Sequence, residues 1–181
     1  MKRHLTICPY DPKWQSMYQE IKRALESLLY DLDPIFYHIG STSVVGMPAK
    51  PIIDVMIVVN CIDRLDEYNE KMQKNGYTPR GENGIPGRRY FVKYSPDKVN
   101  HLIHLHCYEA HNEHVANELL FREYLSKNEL AFNKYLLCKQ EACKLFKDSP
   151  DEYCKYKSAC IEELLTEAKN AKISINKEEL C

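Results

Sequence analysis

His38-Ile39-Gly40-Ser41-Thr42-Ser43-Val44-Val45-Gly46-Met47-Pro48-Ala49-Lys50-Pro51-Ile52-Ile53-Asp54 runs out of one apolar segment, through a loop rich in glycine and hydroxyl groups, and into another. Upstream, Ile35-Phe36-Tyr37 extend the first segment into a short strand that starts after Asp33-Pro34. Residues 52–59 are β-branched and apolar on both faces, the profile of a central strand covered on two sides. Residues 40–49 form a loop with room for one helical turn, held open by Gly46 and Pro48. Gly40 allows the backbone to approach a ligand with no Cβ in the way. The hydroxyls and successive amides of Ser41, Thr42 and Ser43 suit phosphate oxygens, and Lys50 has the reach to neutralise the same anion. Asp54 places a carboxylate on a buried strand, which requires a partner or a metal ion. His38 is placed to orient the loop through a hydrogen bond.

On the amino-terminal side, Asp11-Pro12 opens a helix whose apolar stripe is Trp14, Met17, Ile21, Ala24, Leu25 and Leu28. On the other side, residues 63–74 read as a helix ended by Asn75-Gly76, and residues 81–87, with three glycines and a proline, read as a loop. Residues 89–94 and 101–108 have the pattern of paired strands with a turn at Ser95-Pro96-Asp97. His104 and His106 stand two apart, so an extended backbone puts them on one face, a spacing that suits metal ligands. Arg88 and Arg89 alternate in direction; one can face the cleft as a bidentate phosphate clamp while the other faces water. Arg122 reads equally as a ligand contact or a structural ion pair, and His101, His111 and His114 read as surface residues. From residue 113 onward three helical stripes follow, the last starting at Ser149-Pro150-Asp151, and residues 171–181 are expected to fray. Strands and helices alternate first and helices accumulate later, so the class is α/β or α+β with a carboxy-terminal helical layer. The expected organisation is a single domain over 1–181, with its core in 1–110 and the helices in 111–170.

The 181 residues are enough to bury a core without staples. The net charge of -1 excludes a broad basic footprint for nucleic acid and leaves room for a local basic cleft. None of the eight cysteines is spaced C-x-x-C, and most fall within regular segments; reduced, mostly buried thiols in a cytoplasmic protein are expected. The most apolar run, residues 52–59, is too short to cross a bilayer and is interrupted by Asp54.

The run from His38 to Asp54 resembles the signature of the GrpB family, departing from it only at Val45, where proline is usual. The likeness continues in Gly84-Ile85-Pro86-Gly87-Arg88, His104-Leu105-His106 and Phe121-Arg122-Glu123-Tyr124-Leu125. The resemblance implies a polymerase-β-type nucleotidyltransferase-like mixed sheet with flanking helices. It also implies a phosphate-bearing small molecule, a nucleotide or coenzyme fragment, as ligand. Similar domains fused behind dephospho-coenzyme A kinase imply an accessory role beside another enzyme. In that superfamily two carboxylates on one strand bind the metals; here Asp54 is followed at the second position by Met56, a poor ligand for magnesium. Asp54, His104 and His106 are therefore the expected catalytic and metal set, with Mg, Mn or Zn as the cation. The alternatives are a binding or accessory module that kept the fold without transfer, and a metal-dependent hydrolase using the histidines.

Overall fold

The computed structural model describes residues 7–171. Helix α1 (Lys13–Leu28) is followed by a 3₁₀ turn (Tyr30–Leu32) and strand β1 (Ile35–Ile39). A second 3₁₀ turn (Ser41–Ser43) lies in the loop to β2 (Ile53–Val59). A 3₁₀ segment (Asp63–Tyr68) runs into α2 (Asn69–Lys74), then come β3 (Tyr77–Pro79), β4 (Arg89–Tyr94) and β5 (His101–Glu109). Helices α3 (Glu113–Lys127), α4 (Glu129–Leu145) and α5 (Pro150–Asn170) complete the described chain.

The strands form one mixed sheet in the order β1-β2-β5-β4-β3. β2 lies antiparallel to β1 and parallel to β5, so it is flanked on both edges as its apolar sequence demands. Its residues alternate between two cores. Ile53, Val55 and Ile57 pack with Ile103 and Leu105 of β5 against α1. Met56 and Val58 pack with Tyr108 against Val115 and Leu119 of α3. The period-two alternation of a strand therefore assigns Asp54, His104 and His106 to the α3 face. A third cluster joins Val44 and Met47 of the loop to α3, α4 and α5, so the helical layer clamps the loop from outside.

Asp11 acts at the start of α1 as expected, its carboxylate accepting the Lys13 amide at 2.9 Å. The buried stripe is turned slightly from the expected one: Tyr18 and Leu29 are buried, whereas Met17 is 41% exposed. The helix expected over 63–74 begins as a 3₁₀ segment, and β3 is an additional strand, too short to show a period and ended by proline. Leu130 of α4 is exposed. The expectation that the thiols are mostly buried is corrected as well. Among the described thiols only Cys107 is buried, and Cys61 and Cys154 are exposed. No helix among the described residues is long and apolar enough to cross a membrane. The tail expected to fray lies, beyond Ala171, outside the described residues.

Candidate functional site

Asp54 and His104 sit opposite one another in the parallel β2–β5 pair, and Met56 and His106 are the next such pair on that face. His104 Nδ1 lies 3.0 Å from Asp54 Oδ1, and His106 Nε2 lies 3.5 Å from the same oxygen. Ligand atoms of the three residues all fall within 4.8 Å of one another. A cation with bonds of about 2.1 Å separates adjacent ligands by roughly 3.0 Å at right angles and about 3.4 Å at tetrahedral angles. The two measured separations match those values. Both ring nitrogens of His106 are buried without a hydrogen-bond partner, the condition a ligating imidazole would relieve. Burial alone would raise the Asp54 carboxyl, yet the His104 hydrogen bond and the nearby His106 imidazole hold it ionised, well below the usual carboxylate range. Imidazole and carboxylate donors together suit a transition metal or manganese better than magnesium alone.

His101 belongs to this constellation, contrary to the expectation of a surface residue. Its Nδ1 lies 2.7 Å from His104 Nε2, so one side of the His104 ring meets Asp54 and the other meets His101. That outer contact sets the tautomer and orientation of His104. His114 is not a bare surface residue either, since its ring stacks on Tyr108 with centroids 5.5 Å apart. His111 is exposed, as expected.

The loop meets this acid directly. Gly40 has φ 69° and ψ -172°, a region open essentially to glycine. A Cβ there would stand 2.6 Å from Asp54 Oδ2. The four loop residues then divide. Ser41 Oγ is 3.4 Å from the Tyr135 hydroxyl of α4, at the junction with the helical layer. Thr42 is 1% exposed, lying 3.3 Å from the Ile52 carbonyl and 3.0 Å from His38 Nε2, so its hydroxyl is structural. Ser43 Oγ donates to the Gly40 carbonyl at 2.6 Å and tightens the turn. His38 Nδ1 lies 3.2 Å from Gln15 Oε1, and its ring stacks on Tyr18. Burial pushes this imidazole down to about 4, so it is neutral and anchors the loop through Thr42.

The expected cations separate. Lys50 stands at the loop's end with Nζ 3.6 Å from the centre of the Tyr153 ring. Arg88 is buried and donates to the carbonyls of Glu82 (3.1 Å) and Asn83 (2.8 Å), so it locks the glycine loop. It also lies over the Tyr90 ring, on the face that carries His106. Arg89 pairs in register with Cys107 and thus lies on the other face, bound to Asp66 at 2.8 Å and Asp63 at 3.0 Å. It is not brought to the site. Arg122 donates to the His38 carbonyl at 3.2 Å and lies 3.4 Å from Glu123, the structural reading of that residue.

Three residues absent from the sequence-based set complete the surroundings. Lys139 is 2% exposed, donates to the Pro48 carbonyl at 2.5 Å and lies 5.2 Å from the Tyr135 ring centre. Burial, then the charges of Lys157 and Lys50, push its ammonium down to about 7. Lys157 is raised above the ordinary lysine range, first by Tyr135, then by Tyr153 and Asp54 against the cost of desolvation. Glu118 of α3 is half-buried, and burial raises its carboxyl despite His106 nearby. Nothing in the helical stripes marks these three, because long charged side chains on amphipathic helices ordinarily reach water.

A glycine-serine loop beside an acidic central strand of a mixed sheet, backed by a helical layer, is a nucleotidyltransferase-like core. Cid1 poly(U) polymerase bound to MgATP shares this fold at TM-score 0.50 and 12% identity, over 74% of this chain and 45% of that one. A profile of the family described as GrpB protein matches residues 4–167, and the chain belongs to the GrpB family. The crystal structure of the conserved protein GrpB from Enterococcus faecalis superposes at TM-score 0.84 with 33% identity, covering 92% of this chain and 98% of that one. UPF0157 protein YqkA of Bacillus subtilis is 39% identical over 94% of this chain, which spans only 48% of that relative. The dephospho-CoA kinase of Mycobacterium tuberculosis is 27% identical over 75% of this chain and 39% of its own length.

Proposed function

We propose that the cleft between the sheet and the helical layer binds a phosphate-bearing ligand, a nucleotide or coenzyme fragment, together with a divalent cation. The carrying observation is the contact of Gly40 with Asp54, where a Cβ would stand 2.6 Å from the carboxylate. It supports a reading in which the Gly40 turn and the candidate cation ligands act on one ligand. In this reading Asp54, His104 and His106 hold the cation, and Gly40 and Ser41 receive a phosphate oxygen. Lys50, Lys139 and Lys157 neutralise the rest of the ligand, replacing Arg89 of the sequence-based set. A neutral Lys139 takes up a proton when the anion arrives, because a negative charge favours the ammonium form.

Nucleotidyl transfer is the reaction the site would support: an acceptor hydroxyl attacks the α-phosphorus and pyrophosphate leaves, with charge neutralisation supplying the acceleration. Met56 favours a second reading, a binding or accessory module without turnover. The side chain at the usual second carboxylate position is 0% exposed, sealed beneath α3. Calorimetric titration with nucleoside triphosphates in Mn²⁺ distinguishes them. Binding weakened roughly tenfold or more by Lys157→Ala supports the ligand site. Pyrophosphate release that vanishes in Asp54→Asn supports transfer. Absence of heat with every nucleotide, with and without Mn²⁺, would overturn both.

A further inference from the structure

Strict alternation along β5 would put His101 on the face opposite His104 and His106. The ladder with β4 breaks that alternation. Val92 pairs with His104 and Lys93 with Ile103, but Tyr94 pairs with His101, so Leu102 is skipped. A bulge of this kind re-aims a side chain, and such bulges gather beside functional sites. Here it turns the half-buried His101 ring toward His104 and leaves Leu102 38% exposed. Tyr94 backs the His101 ring edge-on, with centroids 4.8 Å apart and planes at 88°, and Arg80 donates to the Tyr94 hydroxyl. His101 Nδ1 is thereby held 2.7 Å from His104 Nε2, while His104 Nδ1 meets Asp54 Oδ1 at 3.0 Å.

We infer that His101 is the positioning residue of the cation site, and that the His101–His104 hydrogen bond reverses direction when the cation binds. This rests on the reading of Asp54, His104 and His106 as cation ligands. An ionised Asp54 only accepts, so without a cation the His104 proton at Nδ1 faces the carboxylate and Nε2 accepts from His101. A cation bonded to Nδ1 takes that position, and the imidazole then carries its proton at Nε2 and donates to His101 Nδ1. The protons balance: His104 gives its Nδ1 proton to solvent and takes the Nδ1 proton of His101, which gains one from solvent at Nε2. A lysine could not accept in the loaded state, nor an ionised carboxylate donate in the empty one; an imidazole does both. The bond to His101 also raises the donor strength of His104 Nδ1, which favours Mn²⁺, Fe²⁺ or Zn²⁺ over Mg²⁺.

The test is titration of the full chain with Mn²⁺ alone, following the loss of the free-ion paramagnetic resonance signal. Wild type is compared with Asp54→Asn and with two variants of His101. His101→Phe keeps a ring against Tyr94 and removes the nitrogen, whereas His101→Asn carries an amide that can donate or accept at similar reach. His101→Phe is expected to weaken Mn²⁺ binding roughly tenfold or more, as loss of a partner to a ligating imidazole does. His101→Asn should recover the affinity to within about threefold of wild type, a rescue that packing alone would not give. Unchanged Mn²⁺ affinity in His101→Phe, with binding lost in Asp54→Asn, would overturn the role of His101 and leave the three-residue site standing. Equal weakening in the two His101 variants would make the effect one of ring packing, which also overturns it. A wild type that binds no Mn²⁺ removes the cation site, and the role of His101 with it.

Discussion

Gly40→Ala is the substitution whose cost follows most directly from the geometry. At φ 69° and ψ -172° an alanine is held in a region essentially restricted to glycine, which costs about 1–3 kcal/mol. The new methyl would also stand 2.6 Å from Asp54 Oδ2, so the carboxylate must turn away from His104, to which it is bound at 3.0 Å. Losing a hydrogen bond to a charged group costs about 1.5–3 kcal/mol. Allowing for relaxation, the sum is roughly 2–5 kcal/mol, and for a chain of this length the melting temperature should fall by roughly 5–15 °C. The two contributions separate in a double-mutant cycle with Asp54→Ala, which removes the obstructing oxygens. In that background Gly40→Ala should retain the backbone cost and shed about 1–3 kcal/mol of the rest. Chemical denaturation of the four proteins measures the coupling. Strict additivity, or a Gly40→Ala protein as stable as wild type, would refute the claim that loop and acid touch.

Burial lowers the folded pKa of Lys139 to about 7, so its stabilising contribution is complete above the ordinary lysine value and is lost as pH falls toward 7. Between pH 7 and 9 the apo protein should gain about 2 kcal/mol from this group, and Lys139→Met should erase that slope in urea denaturation. His38 has a folded pKa near 4, so its contribution is present above the ordinary histidine value and fades as pH falls through 4. Nitrogen-15 NMR at pH 5.5 should find this imidazole neutral. Arg89→Ala should leave ligand and cation affinity within about twofold of wild type while costing about 1 kcal/mol of stability, because its partners are Asp63 and Asp66 on the opposite face.

The parts of this fold legible in the sequence are those where one side chain pattern admits one structure. Ile53–Val59 is apolar on both faces, and only a central strand buries both. Gly40 followed by hydroxyl residues reads as a loop of close backbone approach, and the two-residue spacing puts His104 and His106 on one face of their strand; their grouping with Asp54 is what the family resemblance implies, and the structure brings the three together. What could not be read was which of two adjacent residues faces the site. Arg88 and Arg89 are equivalent in sequence, and the pairing of Arg89 with Cys107 decides between them. Thr42 looked like a phosphate ligand beside its neighbours, yet its hydroxyl is used by Ile52 and His38. Glu118, Lys139 and Lys157 lie on helices where a charged side chain ordinarily signals water. Their burial follows from how α3, α4 and α5 dock on the loop, a tertiary fact with no local signature. His101 was missed because its role exists only through His104.

The most direct measurement is an anomalous-scattering map from a crystal grown with Mn²⁺ and a non-hydrolysable nucleoside triphosphate. A manganese peak bonded to Asp54 Oδ1, His104 Nδ1 and His106 Nε2 is expected, with a phosphate oxygen of the ligand against Gly40 and Ser41. A peak on other side chains, or a nucleotide bound away from that loop, would contradict it.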